Sequence, residues 1–147
     1  MRVLLQRALN ASVMVDSTVL GSITHGLVVY VGFTMGDTDA DLKYCASKLV
    51  HLRIFDDENG VMNQSLLDVE GSVLSISQFT LYADTKKGRR PSYGHSLPAV
   101  EARKLYDQFH TVLRELVPVE TGQFQAEMQV TYTNDGPVTI LIDSKER

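Results

Sequence analysis

The sequence predicts an α+β fold: a curved or barrel-like mixed β-sheet with two helices packed against it. Three observations predict it. About seven β-type runs outnumber two helical ones, in an order that is not a regular βαβ repeat. A chain of 147 residues is long enough to bury a real core and short enough for one domain. No linker, internal repeat or low-complexity segment divides residues 1–147.

Each element has its own signal. Residues 2–7 and 12–16 read as strands, with Gly21 marking the turn after the second. The run Gly26-Leu27-Val28-Val29-Tyr30-Val31-Gly32-Phe33 is apolar, β-branched and bounded by glycines, which is the pattern of a buried central strand. Thr38 reads as a helix N-cap, with Asp39 and Asp41 in the first turn, where carboxylates favour the positive end of the helix dipole. Leu42, Cys45, Leu49 and Leu52 follow at helical spacing. Arg53-Ile54-Phe55, the polar stretch Asp56-Asp57-Glu58-Asn59-Gly60 and Val61-Met62 read as strand, turn and return. Residues 72–82 form a further strand. A second helix runs from about Pro98 to Leu116 and is stopped by Pro118, with Leu105, Phe109, Val112 and Leu116 as its buried stripe. Residues 126–133 alternate, placing Ala126, Met128, Val130 and Tyr132 on one face, and residues 138–143 close the fold.

Composition narrows the function. No apolar run is long enough to span a bilayer, and the N-terminal segment Met1–Arg7 reads as a strand rather than a signal peptide. A cytoplasmic protein without membrane association is expected. The single cysteine, Cys45, excludes an internal disulfide, fits a reducing compartment and reads as core filling on its helix. A net charge of −4 argues against bulk nucleic-acid affinity but leaves room for a local basic patch. The glycine motifs of dinucleotide and P-loop proteins are missing. Of the four histidines, His25, His51, His95 and His110, none is paired with a second histidine or cysteine at metal-ligand spacing. Neither a metal nor a cofactor is expected. His51 and His110 read as helix-surface or helix-end residues; His95, in a loop beside Gly94, is a minor candidate for function. Asp56-Asp57-Glu58 is a hairpin turn rather than a calcium loop, because the EF-hand ligand pattern is lacking.

Two segments carry the chemistry. Ser77-Gln78-Phe79-Thr80-Leu81 offers hydroxyls, an amide and backbone N–H groups at the end of a β-rich run. Ser77 or Thr80 as a nucleophile needs a base, and Gln78 cannot take a proton. The plain alternative is a strand end whose hydroxyls bond to backbone. Asn134-Asp135-Gly136-Pro137-Val138-Thr139 places a Gly-Pro pair among polar residues at a strand junction. A site made from these parts works through backbone geometry. Between them, Lys86-Lys87-Gly88-Arg89-Arg90 is the one dense basic patch, which suits an anionic ligand or, equally, a solvated loop.

Taken together the motifs resemble those of the D-aminoacyl-tRNA deacylases of the bacterial and eukaryotic type. The resemblance rests on Met1-Arg2-Val3 with Gln6-Arg7, on Leu52-Arg53-Ile54-Phe55, and on Ser77 through Asp84 continuing into Lys86 through Ser92. It also rests on Val119-Glu120-Thr121-Gly122 and on Asn134 through Thr139, all in family order over nearly the whole chain. The segment Gly122-Gln123-Phe124-Gln125-Ala126-Glu127-Met128 departs from the family's common Gly-x-Phe-Gly-Ala-Asp-Met at Gln125 and Glu127, which bears on the local loop shape.

The resemblance implies a hydrolase that cleaves the ester between a D-amino acid and the 3′-terminal adenosine of tRNA. It implies a homodimer whose pockets lie at the interface. A cis Gly136-Pro137 peptide, braced by Arg7, would aim its carbonyls into the neighbouring subunit's pocket. It assigns the Phe79 and Thr80 N–H groups to the oxyanion, Ser77 and Gln78 to the terminal adenosine, and Phe124 and Met128 to the pocket wall. Lys86, Lys87, Arg89 and Arg90 would take the acceptor-stem phosphates. Chirality would be read by exclusion: an L-residue would drive its Cβ into the Gly-Pro backbone, whereas glycine would pass. The tRNA 2′-OH could supply the missing base; the competing route makes Thr80 a nucleophile. Two other functions fit the residues less well. They are the sibling L-alanyl-tRNA deacylase, which differs at the Ser-Gln-Phe-Thr position, and a non-catalytic nucleic-acid-binding protein.

Overall fold

The computed structural model describes residues 1–146. A five-stranded mixed sheet forms the centre. Strand β1 (Arg2–Val15) pairs antiparallel with β2 (Thr18–Gly32), and the two meet at Asp16-Ser17, whose φ values of 45° and 63° are left-handed. Two left-handed residues make the tight turn that matches strand twist. The turn is therefore there and not at Gly21, which lies inside β2; short polar residues took the conformation that glycine usually marks. The expected strands 2–7 and 12–16 are likewise one strand. Asn10, at φ 50°, inserts an extra residue into it. That bulge lets Ala11 and Val13 continue on the face that Ala8 occupies, in a small core with Val28, Leu74 and Ile76. Without the insertion the apolar residues beyond it would change faces.

The expected central strand is central. β2 lies between β1 and β5 (Ser72–Ser77) in the order β6-β5-β2-β1-β7, and it is apolar on both sides because both sides are covered. Leu27, Val29 and Val31 face the main core, while Val28 faces the smaller one. Gly26 is required where β5 joins β2: a Cβ there would stand 1.9 Å from the Ser72 carbonyl oxygen. The sheet curls, so that the first half of β2 approaches β6 (Val119–Thr121). An added Cβ on Gly21 would stand 3.1 Å from the Thr121 carbonyl oxygen.

Helix α1 (Asp39–His51) starts as the sequence predicts, with Thr38 and Asp41 forming a capping box. Leu42, Cys45 and Leu49 are buried, and Leu52 is the C-cap. A short hairpin follows, β3 (Phe55–Asp56) and β4 (Met62–Gln64). Strand β5 stops at Ser77, and residues Phe79–Tyr82 form a 3₁₀ turn rather than more strand. Helix α2 (Ala99–Arg114) has its expected span, but its buried face is rotated. Ala102, Tyr106, Phe109, His110 and Leu113 are buried, whereas Leu105 and Val112 are partly covered and Leu116 is exposed. The rotation has a polar cause. The Tyr106 hydroxyl donates to the Ser75 carbonyl at 3.0 Å, and His110 Nε2 shares a 2.9 Å hydrogen bond with Ser75 Oγ. An inward face holding a tyrosine and a histidine does not show in an apolar stripe, so His110 is a buried residue and not a surface one.

The last strand, β7 (Gln129–Asp143), is continuous where two strands were expected. Its pairing with β1 is interrupted in the middle. Gln6 pairs with Thr139 and Ala8 with Asn134, so residues 135–138 stand opposite Arg7 alone and bulge from the sheet. Among the described residues, no helix is long and apolar enough to cross a membrane.

Candidate active site

The turn after β5 is built to leave donors open. Gln78 N–H donates to the Val31 carbonyl at 2.8 Å, which continues the β5–β2 pairing by one residue. The chain then tightens into the 3₁₀ turn. The first N–H groups of a helical turn have no partner within it. Accordingly, the N–H groups of Phe79 and Thr80 have no acceptor among the described residues. The loop before α2 fixes this turn from outside. Ser96 Oγ donates to the Phe79 carbonyl at 2.9 Å, Leu97 N–H to the Phe33 carbonyl at 2.9 Å, and Thr34 Oγ1 to the His95 carbonyl at 2.6 Å. Gln78 Nε2 donates to Thr80 Oγ1.

A cavity of about 790 Å³ opens beside this turn. Ser77, Gln78 and Phe79 line it together with Phe124 and Met128, so five of the residues singled out in the sequence share one wall. Thr80 is not part of the lining. Sequence reasoning missed Tyr30, Tyr93, Ser96 and Pro98, which also line it. Tyr30 is hidden inside an apolar strand run, and the other three in a loop whose path only the fold reveals. Among the described residues, no histidine, lysine, arginine, cysteine or carboxylate lines the cavity. Burial, and then the hydrogen bond with Tyr132, push the Tyr30 phenol above the ordinary tyrosine range, so it stays neutral. The site therefore offers main-chain dipoles and shape, with no side-chain base.

Gln125, where the family resemblance leads one to expect glycine, has the backbone of a glycine. Its φ is 64°, a left-handed value that glycine adopts freely and glutamine does not. Gly122 is tightly enclosed, because a Cβ would stand 2.4 Å from Met128 Sδ.

The Gly136-Pro137 corner lies apart from the cavity lining of its own chain. It is exposed, its peptide is cis, and Gly136 has φ 113°. Arg7, 7% exposed, stands under it. Arg7 Nη1 donates to the Ile54 carbonyl at 3.0 Å and to Asp56 Oδ1 at 3.3 Å, and Nε lies 2.8 Å from Asp135 Oδ2 as an ion pair. An added Cβ on Gly136 would stand 2.8 Å from Val138 N and 3.3 Å from Arg7 Nη2. Asn134 closes the bulge: its Nδ2 donates to the carbonyls of Arg7 and Val138, both at 3.0 Å, and its Oδ1 accepts from Gln6 Nε2 at 3.0 Å. The basic loop containing Lys86, Lys87, Arg89 and Arg90 is exposed, and its ends are tied by reciprocal backbone bonds between Asp84 and Ser92.

The site thus joins a largely apolar cavity to two N–H groups without acceptors, and among the described residues no histidine, lysine, arginine, cysteine or carboxylate lines it. The family model described as D-Tyr-tRNA(Tyr) deacylase matches residues 4–143. A protein called D-aminoacyl-tRNA deacylase from Thermomicrobium roseum is 58% identical over 147 residues, covering 99% of this chain and 96% of that one. One of the same name from Bacillus pumilus is 56% identical, covering 99% and 100%. A solved structure named c-Myc DNA Unwinding Element Binding Protein superimposes with a TM-score of 0.92 at 35% identity, covering 97% of this chain and 98% of that one. The chain belongs to the D-Tyr-tRNA(Tyr) deacylase family, and its enzyme class is that of a hydrolase.

Proposed function

We propose that the protein hydrolyses the ester linking a D-amino acid to the 3′-terminal adenosine of tRNA, and that it does so with its main chain. One observation carries this reading: the N–H groups of Phe79 and Thr80 stand unpaired at the edge of a cavity that no histidine, lysine, arginine, cysteine or carboxylate lines among the described residues. Two N–H groups aimed at a developing oxyanion are worth a few kcal/mol in a water-poor site. Ser77 and Gln78 hold the terminal adenosine, and Phe124 and Met128 cover it. The proton acceptor comes from the substrate, whose free 2′-OH lies next to the ester. Thr80 Oγ1 already accepts a bond from Gln78 and hydrogen-bonds to no base among the described residues, which disfavours a covalent route.

The Gly136-Pro137 corner acts on a second copy of the chain. It is exposed, rigidly braced and absent from the lining of its own cavity, so it completes the pocket of a partner in a homodimer. There its two carbonyls accept from the substrate's α-ammonium and its backbone blocks an L side chain. Glycine, which has no Cβ, passes this filter and is hydrolysed too. The basic loop from Lys86 to Arg90 holds acceptor-stem phosphates, so activity falls as salt rises.

Deacylation of matched D-tyrosyl-, L-tyrosyl- and glycyl-tRNA tests the whole reading. Cleavage of the first and third with the second left intact is expected. Equal cleavage of both tyrosyl enantiomers would remove the chiral corner from its role. Binding to duplex DNA is a second reading, favoured by the 35% identity to a structure named for DNA binding and by the basic loop. A gel shift on duplex DNA beside the deacylation assay separates the two.

A further inference from the structure

A second cleft, of about 270 Å³, shares Phe124 with the cavity. Its lining differs in kind from that of the cavity. Arg103, Asp107, His110 and Arg114 come from α2, Thr121 ends β6, and Phe124 follows shortly after. Arg103 Nε engages both carboxylate oxygens of Asp107 at 3.0 Å, and its guanidinium sits 5.6 Å from the centre of the Phe124 ring. The terminal nitrogens of Arg103 have no acceptor among the described residues, and Arg114 has no ion-pair partner there. Two guanidinium groups thus face one carboxylate. His110 lies at the base, with Nε2 bonded to Ser75 Oγ and Nδ1 without a protein partner among the described residues. Burial, reinforced by Arg114, pushes its imidazole down to about 4, so the ring is neutral near pH 7. The cleft therefore holds surplus positive charge and unoccupied donors.

We propose that this cleft binds a phosphodiester of the RNA strand whose terminal nucleoside occupies the cavity. The inference rests on the deacylase reading and adds to it a phosphate site separate from the basic loop. Phe124 lines both spaces, so a strand that leaves the cavity past this ring would meet Arg103 and Arg114 with a backbone charge. Arginine suits this task because its planar donors match phosphate oxygens in pairs. The contact is blind to base identity and fixes where the strand lies. His110 is a reporter here, not a catalytic residue: an anion next to a neutral imidazole favours its protonated form.

The test uses the full chain with three probes: the trinucleotide CCA, adenosine and inorganic phosphate. Affinity is read by calorimetry and the His110 ring by NMR. CCA should bind about tenfold more tightly than adenosine, in line with one charge-assisted contact. Arg114→Gln should remove most of that advantage, leave adenosine binding unchanged and make the log-log salt slope of CCA binding shallower by roughly 0.7. CCA should shift the His110 resonances, and adenosine should not. Arg103→Gln is the second variant, and a thermal midpoint confirms that each is folded. Unchanged CCA affinity and salt slope in both folded variants would overturn the phosphate site while the deacylase reading stands. A His110 response to inorganic phosphate at millimolar concentration but not to CCA would mark an adventitious ion only, and would also overturn it. Absence of D-aminoacyl-tRNA hydrolysis by the wild-type chain would sink both readings together.

Discussion

The turn at Ser77–Thr80 and the corner at Asn134–Thr139 both sit where a strand is interrupted, yet they treat their polar groups in opposite ways. At the turn, two N–H groups are left without acceptors, and no histidine, lysine, arginine, cysteine or carboxylate lines the adjoining cavity, among the described residues. At the corner the Asn134 amide and the Arg7 guanidinium are tied into the fold. Asn134 makes bonds through both ends of its amide, and a buried arginine ties the loop to Ile54, Asp56 and Asp135. A group that must stabilise charge in a transition state has to be free before substrate arrives. In the role proposed for it, the corner has to be stiff, because a wall that yields by an ångström rejects nothing.

Substitutions can break this contrast at either end. The largest effect is expected at the turn. Phe79→Pro removes one N–H while keeping a backbone that the first position of a helical turn tolerates. Deacylation should fall by roughly 10²–10³-fold, as for loss of an oxyanion donor. Phe79→Ala keeps the N–H and should lose far less; equal losses in steady-state kinetics would show that the ring, not the amide, matters. Next comes the corner. Arg7→Ala leaves Asp135 and the Ile54 carbonyl without their partner and should cost about 3 kcal/mol of stability. In denaturant melts the midpoint should drop, and the folded fraction should cleave L-tyrosyl-tRNA faster, relative to D-tyrosyl-tRNA, than the wild type does.

Two smaller effects sharpen the picture around the cavity. His110 is held below its ordinary value by burial and then by Arg114. Between about pH 6.5 and 4, the unfolded chain binds a proton that the folded one refuses, so stability should decline as pH falls through that window, by at most about 3 kcal/mol. Thermal melts across the window should show this slope, and His110→Gln should flatten it even if the variant is less stable throughout. The smallest effect is a gain. Gln125→Gly relieves a left-handed glutamine and should raise stability by about 1 kcal/mol, read as a rise in melting temperature.

How far the sequence foretells this molecule depends on what kind of signal each part sends. The N-cap at Thr38, the helix spans and the central strand rest on local chemistry and apolar spacing, and they are where those signals put them. The face of α2 escapes the apolar spacing because Tyr106 and His110 look inward to satisfy Ser75, and a polar residue gives no inward signal until its partner is known. The turn falls at Asp16-Ser17 instead of Gly21 because left-handed backbone is not the property of glycine alone. β6 is only three residues long, too short for any periodicity to register. The site divides in the same manner. Ser77, Gln78, Phe79, Phe124 and Met128 stand out through resemblance and meet at one cavity. Tyr30, Tyr93, Ser96 and the α2 cleft depend on which segments the fold brings together, and no local pattern marks them.

That no histidine, lysine, cysteine or carboxylate lines the cavity among the described residues has a pharmacological side. Warheads that acylate, phosphonylate or alkylate enzymes rely on a side chain whose nucleophilicity a neighbour has already raised. Ser77 and Ser96 have no such neighbour in the cavity lining, so reagents of that type should pass this protein by. Compounds meant to block it would have to hold on by fit and by hydrogen bonds to the peptide backbone, and resistance by exchanging a reactive residue would not be open to the cell.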